Sequence, residues 1–454
     1  MGTLTTSAPP QPKKALPPAT GNNGVLLVTI RFPPEGGGGS IRVTKMAKYL
    51  AAFGWNTVVL TTRPSRKTEI VEPPMEGVPV FRAPRLDVAA WTWEAVRSVG
   101  RLITRLTPGA AIPGGTEAAG LTRPRRRYVD YVLLPDDYVF WVPLAVLFGL
   151  SAIRRHRPKI IYSTSPTATT HLAAYWLHLL TGLPWVVEFR DPWMLNPFRQ
   201  ARPWLWMERL ENWMEDRVLH TATRLVVTSQ EYKSDLLQKY PDLPENHVIY
   251  LPNGFDPQDF ENAVSLHFDK FTIVHAGNFY EQRTARPFLV ALRRWFDEEP
   301  EARTRTQVLF VGREGADSSR AIAQFGLEDV VAQVVAVSHR RAVQYMLSAD
   351  LLLLVPGPGT GTMPGKTFEY LASRKPVLVV ADEGPARRLV SNARIGSVVS
   401  TTDEKGMASE LSRLRRVIAA GAFPYPDTTD LLNLYDRRRI AGLMANVFSE
   451  LTAQ

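Results

Sequence analysis

The 454-residue chain contains no cysteine. That absence removes disulfides, thiolate nucleophiles and zinc–cysteine centres from consideration, and it fits a reducing compartment. Long hydrophobic runs are also missing. The most apolar stretch, 138–153, is broken by Pro143 and falls short of the ~20 residues a membrane-crossing helix needs. No G-x-G-x-x-G fingerprint opens the first helix, and no acid stands where such a fingerprint would hold a ribose, which argues against a nicotinamide cofactor. Carboxylates and histidines are nowhere clustered at metal-ligand spacing, so no metal is expected. Negative charge is in deficit: 54 basic residues against 44 acidic ones leave a formal charge of +10. The excess favours anionic partners, namely nucleotide diphosphates, nucleic acid or an anionic membrane. Nucleic acid is the weaker of these, because no recognised binding module or aromatic platform is present.

What is present is a repeated alternation. The first 23 residues, rich in Pro, Thr, Ala and Gly, read as a disordered leader rather than a signal peptide. From Gly24 onward, short β-branched runs alternate with helical patterns. Strands are predicted at 25–30, 57–60, 78–81, 160–162, 185–187, 225–228 and 247–251, with helices at 41–53, 167–180 and 204–220. The alternation restarts with strands at 271–275, 307–311, 331–335, 351–355 and 377–380. The helices of this second series are predicted near 287–296, 340–347, 365–373 and 406–419. Such a pattern predicts parallel sheets covered by helices on both faces. Two series imply two Rossmann-like doubly wound α/β domains facing across a cleft, and ligands in such sheets sit at the carboxyl ends of the strands.

The chemistry-bearing motifs fall at those ends. Pro364-Gly365-Lys366-Thr367-Phe368-Glu369-Tyr370 follows an apolar strand and a broken loop, and reads as a helix N-terminus. Free backbone amides and the positive end of the helix dipole attract phosphate there. Lys366 and Glu369, one turn apart, suit a diphosphate and a ribose. Glu35 is followed by four glycines, Gly36 to Gly39, between the first strand and first helix, where backbone can approach a ligand closely. Gly37 and Gly38 are the donor-binding candidates there. His275-Ala276-Gly277-Asn278 and Arg283 follow the second domain's first strand, with Arg283 a phosphate candidate. Glu188, Arg190 and Asp191 end another strand over the cleft, and either catalysis or a buried ion pair explains them. Finally, the segment 91–127 carries seven arginines. Arg97, Arg101 and Arg105 recur every fourth residue behind Trp91 and Trp93, a pattern for an ordinary packed helix or for one lying on an anionic membrane.

Taken in order, the glycine loop, Thr228-Ser229, Pro252-Asn253-Gly254-Phe255-Asp256, His275-Ala276-Gly277-Asn278 and the Pro364–Tyr370 run resemble a family 4 glycosyltransferase. The last run is typical of the branch that builds bacterial polysaccharides. The resemblance implies the GT-B fold: an acceptor domain over 24–262, a nucleotide-sugar domain over 263–430 and a terminal helix over 431–454 crossing back to the first domain. It implies retaining transfer from a UDP- or GDP-sugar to a glycan or lipid-linked acceptor, without cofactor or metal. The expected setting is the cytoplasm, peripheral on the inner membrane face. Asn278, Arg283, Gly365, Lys366, Thr367 and Glu369 become donor contacts, with Glu369 matching the second acid of the family's paired-glutamate motif. Gly361 stands where the first acid would be, and Asn278 where an arginine is usual. Glu188, Arg190 and Asp191 fill the place of the family's histidine near the reacting sugar. The alternatives are a nucleotide-sugar epimerase of the same fold and a degenerate scaffold subunit.

Overall fold

The computed structural model describes residues 23–35, 38–64, 73, 75–85, 133–199, 201–261, 263–279, 283–312, 315–335, 337–357 and 363–453. A seven-stranded sheet runs in the order β3-β2-β1-β4-β5-β6-β7. Its strands are β1 Asn23–Val28, β2 Trp55–Thr62, β3 Val80–Ala83, β4 Ile160–Thr164, β5 Trp185–Phe189, β6 Arg224–Val227 and β7 Val248–Tyr250. A six-stranded sheet follows in the order β10-β9-β8-β11-β12-β13. It comprises β8 Phe271–Ala276, β9 Thr306–Val311, β10 Val331–Val334, β11 Leu351–Leu354, β12 Val377–Val380 and β13 Gly396–Val399. Every pairing among these strands is parallel.

Continuous apolar strands are what a sheet covered on both faces requires. Along β1 the side chains divide by alternation. Val25 and Leu27 pack with Val43, Ala47, Ile440, Met444 and Phe448 of the Gly38–Leu50 and Arg437–Thr452 helices. Leu26 and Val28 face the opposite layer, where the Val142–His156, Thr169–Thr181 and Leu205–Thr221 helices contribute Ala145, Leu177 and Val218. The apolar stretch around 138–153 thus becomes a helix lying on the sheet. Gly149 is the close-approach point: a Cβ there would stand 2.7 Å from Leu177.

The chain crosses between domains twice, and the crossings touch. Phe255 N–H donates to Tyr435 O at 3.0 Å, and Arg437 N–H donates to Phe255 O at 3.0 Å. Only glycine fits beside them, since a Cβ on Gly254 would lie 2.1 Å from Tyr435 O. Phe255, Phe260, Leu431, Leu432 and Tyr435 all pack into the second core. Residues on both sides of the expected 262 and 430 boundaries thus share this core. The last helix begins at Arg437 because the Asp436 side chain caps it, accepting from Arg438 N–H at 2.7 Å. Strand β3 is shifted from 78–81 to Val80–Ala83, with Pro79 offering only its carbonyl, to Val59 N–H at 2.9 Å.

Candidate active site

The carboxyl end of the first sheet is closed by a buried ion pair. Parallel register sets Thr164 beside Glu188. Arg42, one turn into the Gly38–Leu50 helix, reaches over the strand ends and donates to Glu188 Oε1 from Nη2 at 2.6 Å and from Nε at 3.1 Å. Its Nη1 donates to Pro252 O at 2.8 Å and to Asn253 Oδ1 at 3.1 Å. Tyr162 and Thr164 hydroxyls donate to Glu188 Oε2 at 2.6 Å and 2.7 Å. Burial works to raise the Glu188 carboxyl, but Arg42 and the two hydroxyls overcome it and hold the group below the ordinary carboxylate range. Both Glu188 oxygens are engaged within the protein, and its side chain has no exposed surface. That geometry ties the end of the first sheet to the first helix and to the Pro252–Asn253 segment.

Its neighbours differ. Arg190 reaches the start of the Gly38–Leu50 helix, donating from Nη1 to Gly39 O at 2.8 Å, while its backbone N–H donates to Ser165 Oγ at 3.1 Å. Arg190 so holds the start of this helix, with Asp191, exposed at the strand end, as the opposite charge acting on it most strongly. Gly38 is the first residue of its helix. His171, unremarked in the sequence, is buried behind β5 with Nδ1 2.9 Å from Ser163 Oγ, and burial pushes it down to about 3.

The second sheet's end is more open. The Gly365–Ser373 helix starts after Pro364 with no side-chain cap, and a Cβ on Gly365 would meet nothing within 4 Å. Lys366 Nζ lies 2.6 Å from Glu369 Oε2; the lysine side chain is 28% exposed and the glutamate 5%. Burial raises the Glu369 carboxyl, but Lys366, His339 and Arg437 bring it below the ordinary range. The buried Thr367 hydroxyl has no hydrogen-bond partner in the protein. At the end of β8, His275 gives Nδ1 to Leu353 O at 3.0 Å and stacks on Phe279 with ring centres 4.2 Å apart. Burial first, then Arg283 and Lys366, push His275 down to about 4. Gly277 and Gly312 let two strand ends meet, since a Cβ on Gly312 would lie 2.1 Å from Gly277 O. Asn278 directly follows this contact. Arg283 Nε donates to Pro356 O at 2.9 Å, and its guanidinium stands 5.7 Å from the ring centre of Phe198, a first-domain residue.

Charged groups link the two ends. Lys45 of the first helix contacts Asp256 at 2.5 Å and Asp259 at 2.6 Å. Tyr49 OH donates to Asp256 Oδ1 at 2.7 Å. Asp259 Oδ2 is 3.2 Å from His339 Nε2, which is 3.8 Å from Glu369 Oε1. The carboxylate proposed for a ribose is thus tied, through His339, Asp259 and Lys45, to the other domain.

The structure therefore gathers Asn278, Arg283, Gly365, Lys366, Thr367 and Glu369 at one sheet's end and Gly38, Glu188, Arg190 and Asp191 at the other. Gly37, Gly361, Trp91, Trp93, Arg97, Arg101 and Arg105 lie outside the described residues. Sequence reading missed Arg42, Lys45, Tyr162, Asp259 and His339. Asp256 stood inside a quoted motif but carried no role. Among the described residues, no group of three or more His, Asp or Glu could hold a metal ion.

Two doubly wound parallel sheets, meeting at their carboxyl ends and tied by a returning C-terminal helix, define a GT-B enzyme. Residues 37–254 match the glycosyl transferase 4-like domain, and residues 270–416 match glycosyl transferases group 1. The chain belongs to the family 4 glycosyltransferases. Among solved structures it is similar to sucrose-phosphate synthase from Thermosynechococcus elongatus, with TM-score 0.66 and 16% identity over 95% of this chain and 99% of that one. It is also similar to Anabaena HepE in complex with UDP, with TM-score 0.61 and 14% identity over 94% of this chain and 100% of that one. A third is WaaG, a glycosyltransferase of lipopolysaccharide biosynthesis, with TM-score 0.59 and 13% identity over 94% and 99%. No curated protein matches the sequence.

Proposed function

We propose that the protein transfers a sugar, with retention of anomeric configuration, from a UDP- or GDP-sugar to a glycan or lipid-linked acceptor in cell-surface polysaccharide synthesis. The observation that carries the donor half is the Lys366–Glu369 pair at an uncapped helix N-terminus. HepE and an Escherichia coli trehalose-6-phosphate structure are described with UDP and UDP-2-fluoro glucose, which supports a nucleotide-sugar donor here. The diphosphate would meet Lys366, Arg283 and the backbone amides of Gly365 and Lys366, and the ribose would meet Glu369. On donor binding, the Lys366 cation turns from the carboxylate to share the phosphate charge.

Catalysis in this reading is electrostatic. The leaving diphosphate gains negative charge as the glycosidic bond breaks, and cations and amides placed beforehand stabilise that charge. Domain closure excludes water, which would otherwise compete with the acceptor for the sugar. Asp191, exposed at the end of β5, is the acidic residue of the first domain's strand end left to face an acceptor. The protein works in the cytoplasm, against the inner membrane face. The test is incubation with radiolabelled UDP- and GDP-sugars and a lipid-linked glycan acceptor, with product configuration read by NMR. Transfer with retained configuration supports the reading. Release of free sugar or an epimer without acceptor glycosylation overturns it in favour of epimerase chemistry.

A further inference from the structure

The helical layer on one face of the first sheet turns large apolar side chains to solvent. In the Leu205–Thr221 helix, Met207, Glu211, Glu215 and Val218 face inward. Trp206, Arg209, Trp213 and Arg217 recur at helical spacing on the opposite side and are all exposed. Trp206 is 56% exposed and Trp213 54%. Arg217 lies 5.7 Å from the Trp213 ring centre, and Trp204 stacks on Trp206 at 6.2 Å. The neighbouring Thr169–Thr181 helix adds Trp176 and Leu179, and the Val142–His156 helix beyond it adds Leu147, each at least half exposed. Scattered apolar residues on a surface are ordinary; several tryptophans and leucines on adjoining helices of one face are not.

Charge on this face is mainly positive. Three acids of the Leu205–Thr221 helix are drawn to partners away from it, and the fourth, Asp216, stays half-exposed beside His220 on the face. Glu208 pairs with Arg199 at 2.6 Å, Glu211 with Arg202 at 2.8 Å and Glu215 with Lys239 at 2.6 Å, and Asp216 lies 3.2 Å from His220. Arg209 and Arg217 are left standing between the tryptophans. Tryptophan, with an apolar body and a polar N–H, prefers the boundary between lipid headgroups and acyl chains, and arginines beside it meet anionic headgroups.

We propose that this Trp–Arg face of the first domain docks on an anionic lipid bilayer. The inference rests on the reading of a lipid-linked acceptor and names the surface that serves it. Because a helix following a parallel strand begins at the strand's carboxyl end, Trp204 and Trp206 stand at the cleft edge. Docking there brings the headgroup plane beside the cleft mouth, where an acceptor anchored in the bilayer enters.

The experiment is sedimentation of the full chain with vesicles of phosphatidylcholine containing phosphatidylglycerol, and with phosphatidylcholine alone. The wild type partitions to the anionic vesicles and less so as salt rises. Trp206→Ser with Trp213→Ser lowers partitioning at least about tenfold. Arg209→Glu with Arg217→Glu, changes confined to exposed side chains, lowers it selectively for the anionic vesicles. Unchanged partitioning in both double variants overturns the proposal. So does absence of vesicle binding, or a concentration-dependent dimer that Trp206→Ser with Trp213→Ser abolishes, which would make a second copy the occupant. Titration with UDP and GDP on the same samples separates the two claims. Diphosphate binding without vesicle binding sinks the surface alone, and vesicle binding without diphosphate binding sinks the donor reading alone.

Discussion

The two sheets present their carboxyl ends to one another, yet they finish them differently. At the first, Glu188 is fully buried and its oxygens are engaged by Arg42, Tyr162 and Thr164. At the second, Glu369 shares Lys366, which is partly exposed, beside an uncapped helix start and an unpartnered threonine hydroxyl. A carboxylate with saturated acceptors inside a core is a tie, and changing it disturbs the fold. One that shares a solvent-reaching cation at a helix start with no side-chain cap is, in the proposed reading, the one that exchanges that cation for a ligand. Both read alike in a sequence, as a charged residue near a strand end.

The comparison breaks most visibly at Arg42. Arg42→Ala leaves Glu188 charged and buried, a loss of about 3–5 kcal/mol. Thermal unfolding should show a large drop in midpoint; the Glu188→Gln variant, which keeps shape but leaves the buried Arg42 cation without its anion, also loses stability yet retains turnover in its folded fraction. A Glu188→Gln protein with normal melting and no activity would return Glu188 to the chemistry. Next comes Lys366→Ala, expected to lower kcat about 10²- to 10³-fold with the melting midpoint barely changed. Equal activity in the variant would remove the distinction between the two ends. His339→Ala sharpens it: loosening Glu369 should raise the KM for donor roughly tenfold, about 1.4 kcal/mol, with kcat less affected. A change in kcat alone would place His339 elsewhere in the mechanism.

The smallest effect is in pH. Burial holds His171 at about 3 and His275 at about 4, below the ordinary histidine value of ~6.5. Both are neutral when folded at pH 5, whereas the unfolded chain binds their protons. Stability therefore falls as pH drops below ~6.5, continuing toward the folded values. Glu188 and Glu369, held low when folded, add stability above ~4.5 that is lost only as pH falls further. Urea unfolding at pH 7, 6 and 5 should show the histidine slope, and His275→Gln should flatten it. An unchanged slope in that variant would contradict the assignment.

Much of this was legible in the chain. Apolar runs of strand length separated by helical periods give two parallel sheets, and Pro364 followed by Lys366 and Glu369 marks a helix start, as found at Gly365. Legibility ends where partners are distant. Arg42 and Glu188 are separated by 146 positions, and nothing local to Glu188 reveals that its carboxylate is already taken. His339 sits inside an ordinary helix start capped by Ser338, so its link to Asp259 and Glu369 appears only when three elements meet. The strand Gly396–Val399 and the Pro385–Ala393 helix escaped notice because each is short, at four and nine residues. Gly254 was read as a turn; it lies in coil, and the need for glycine comes from Tyr435 crossing above it.

The most direct test of the claim that the second sheet's end is the nucleotide site is calorimetric titration of the purified protein with UDP and GDP, without added metal. The account predicts that one diphosphate binds and that Lys366→Ala abolishes the binding while the protein still melts cooperatively. Absence of binding to either diphosphate, or binding that survives Lys366→Ala unchanged, would contradict it.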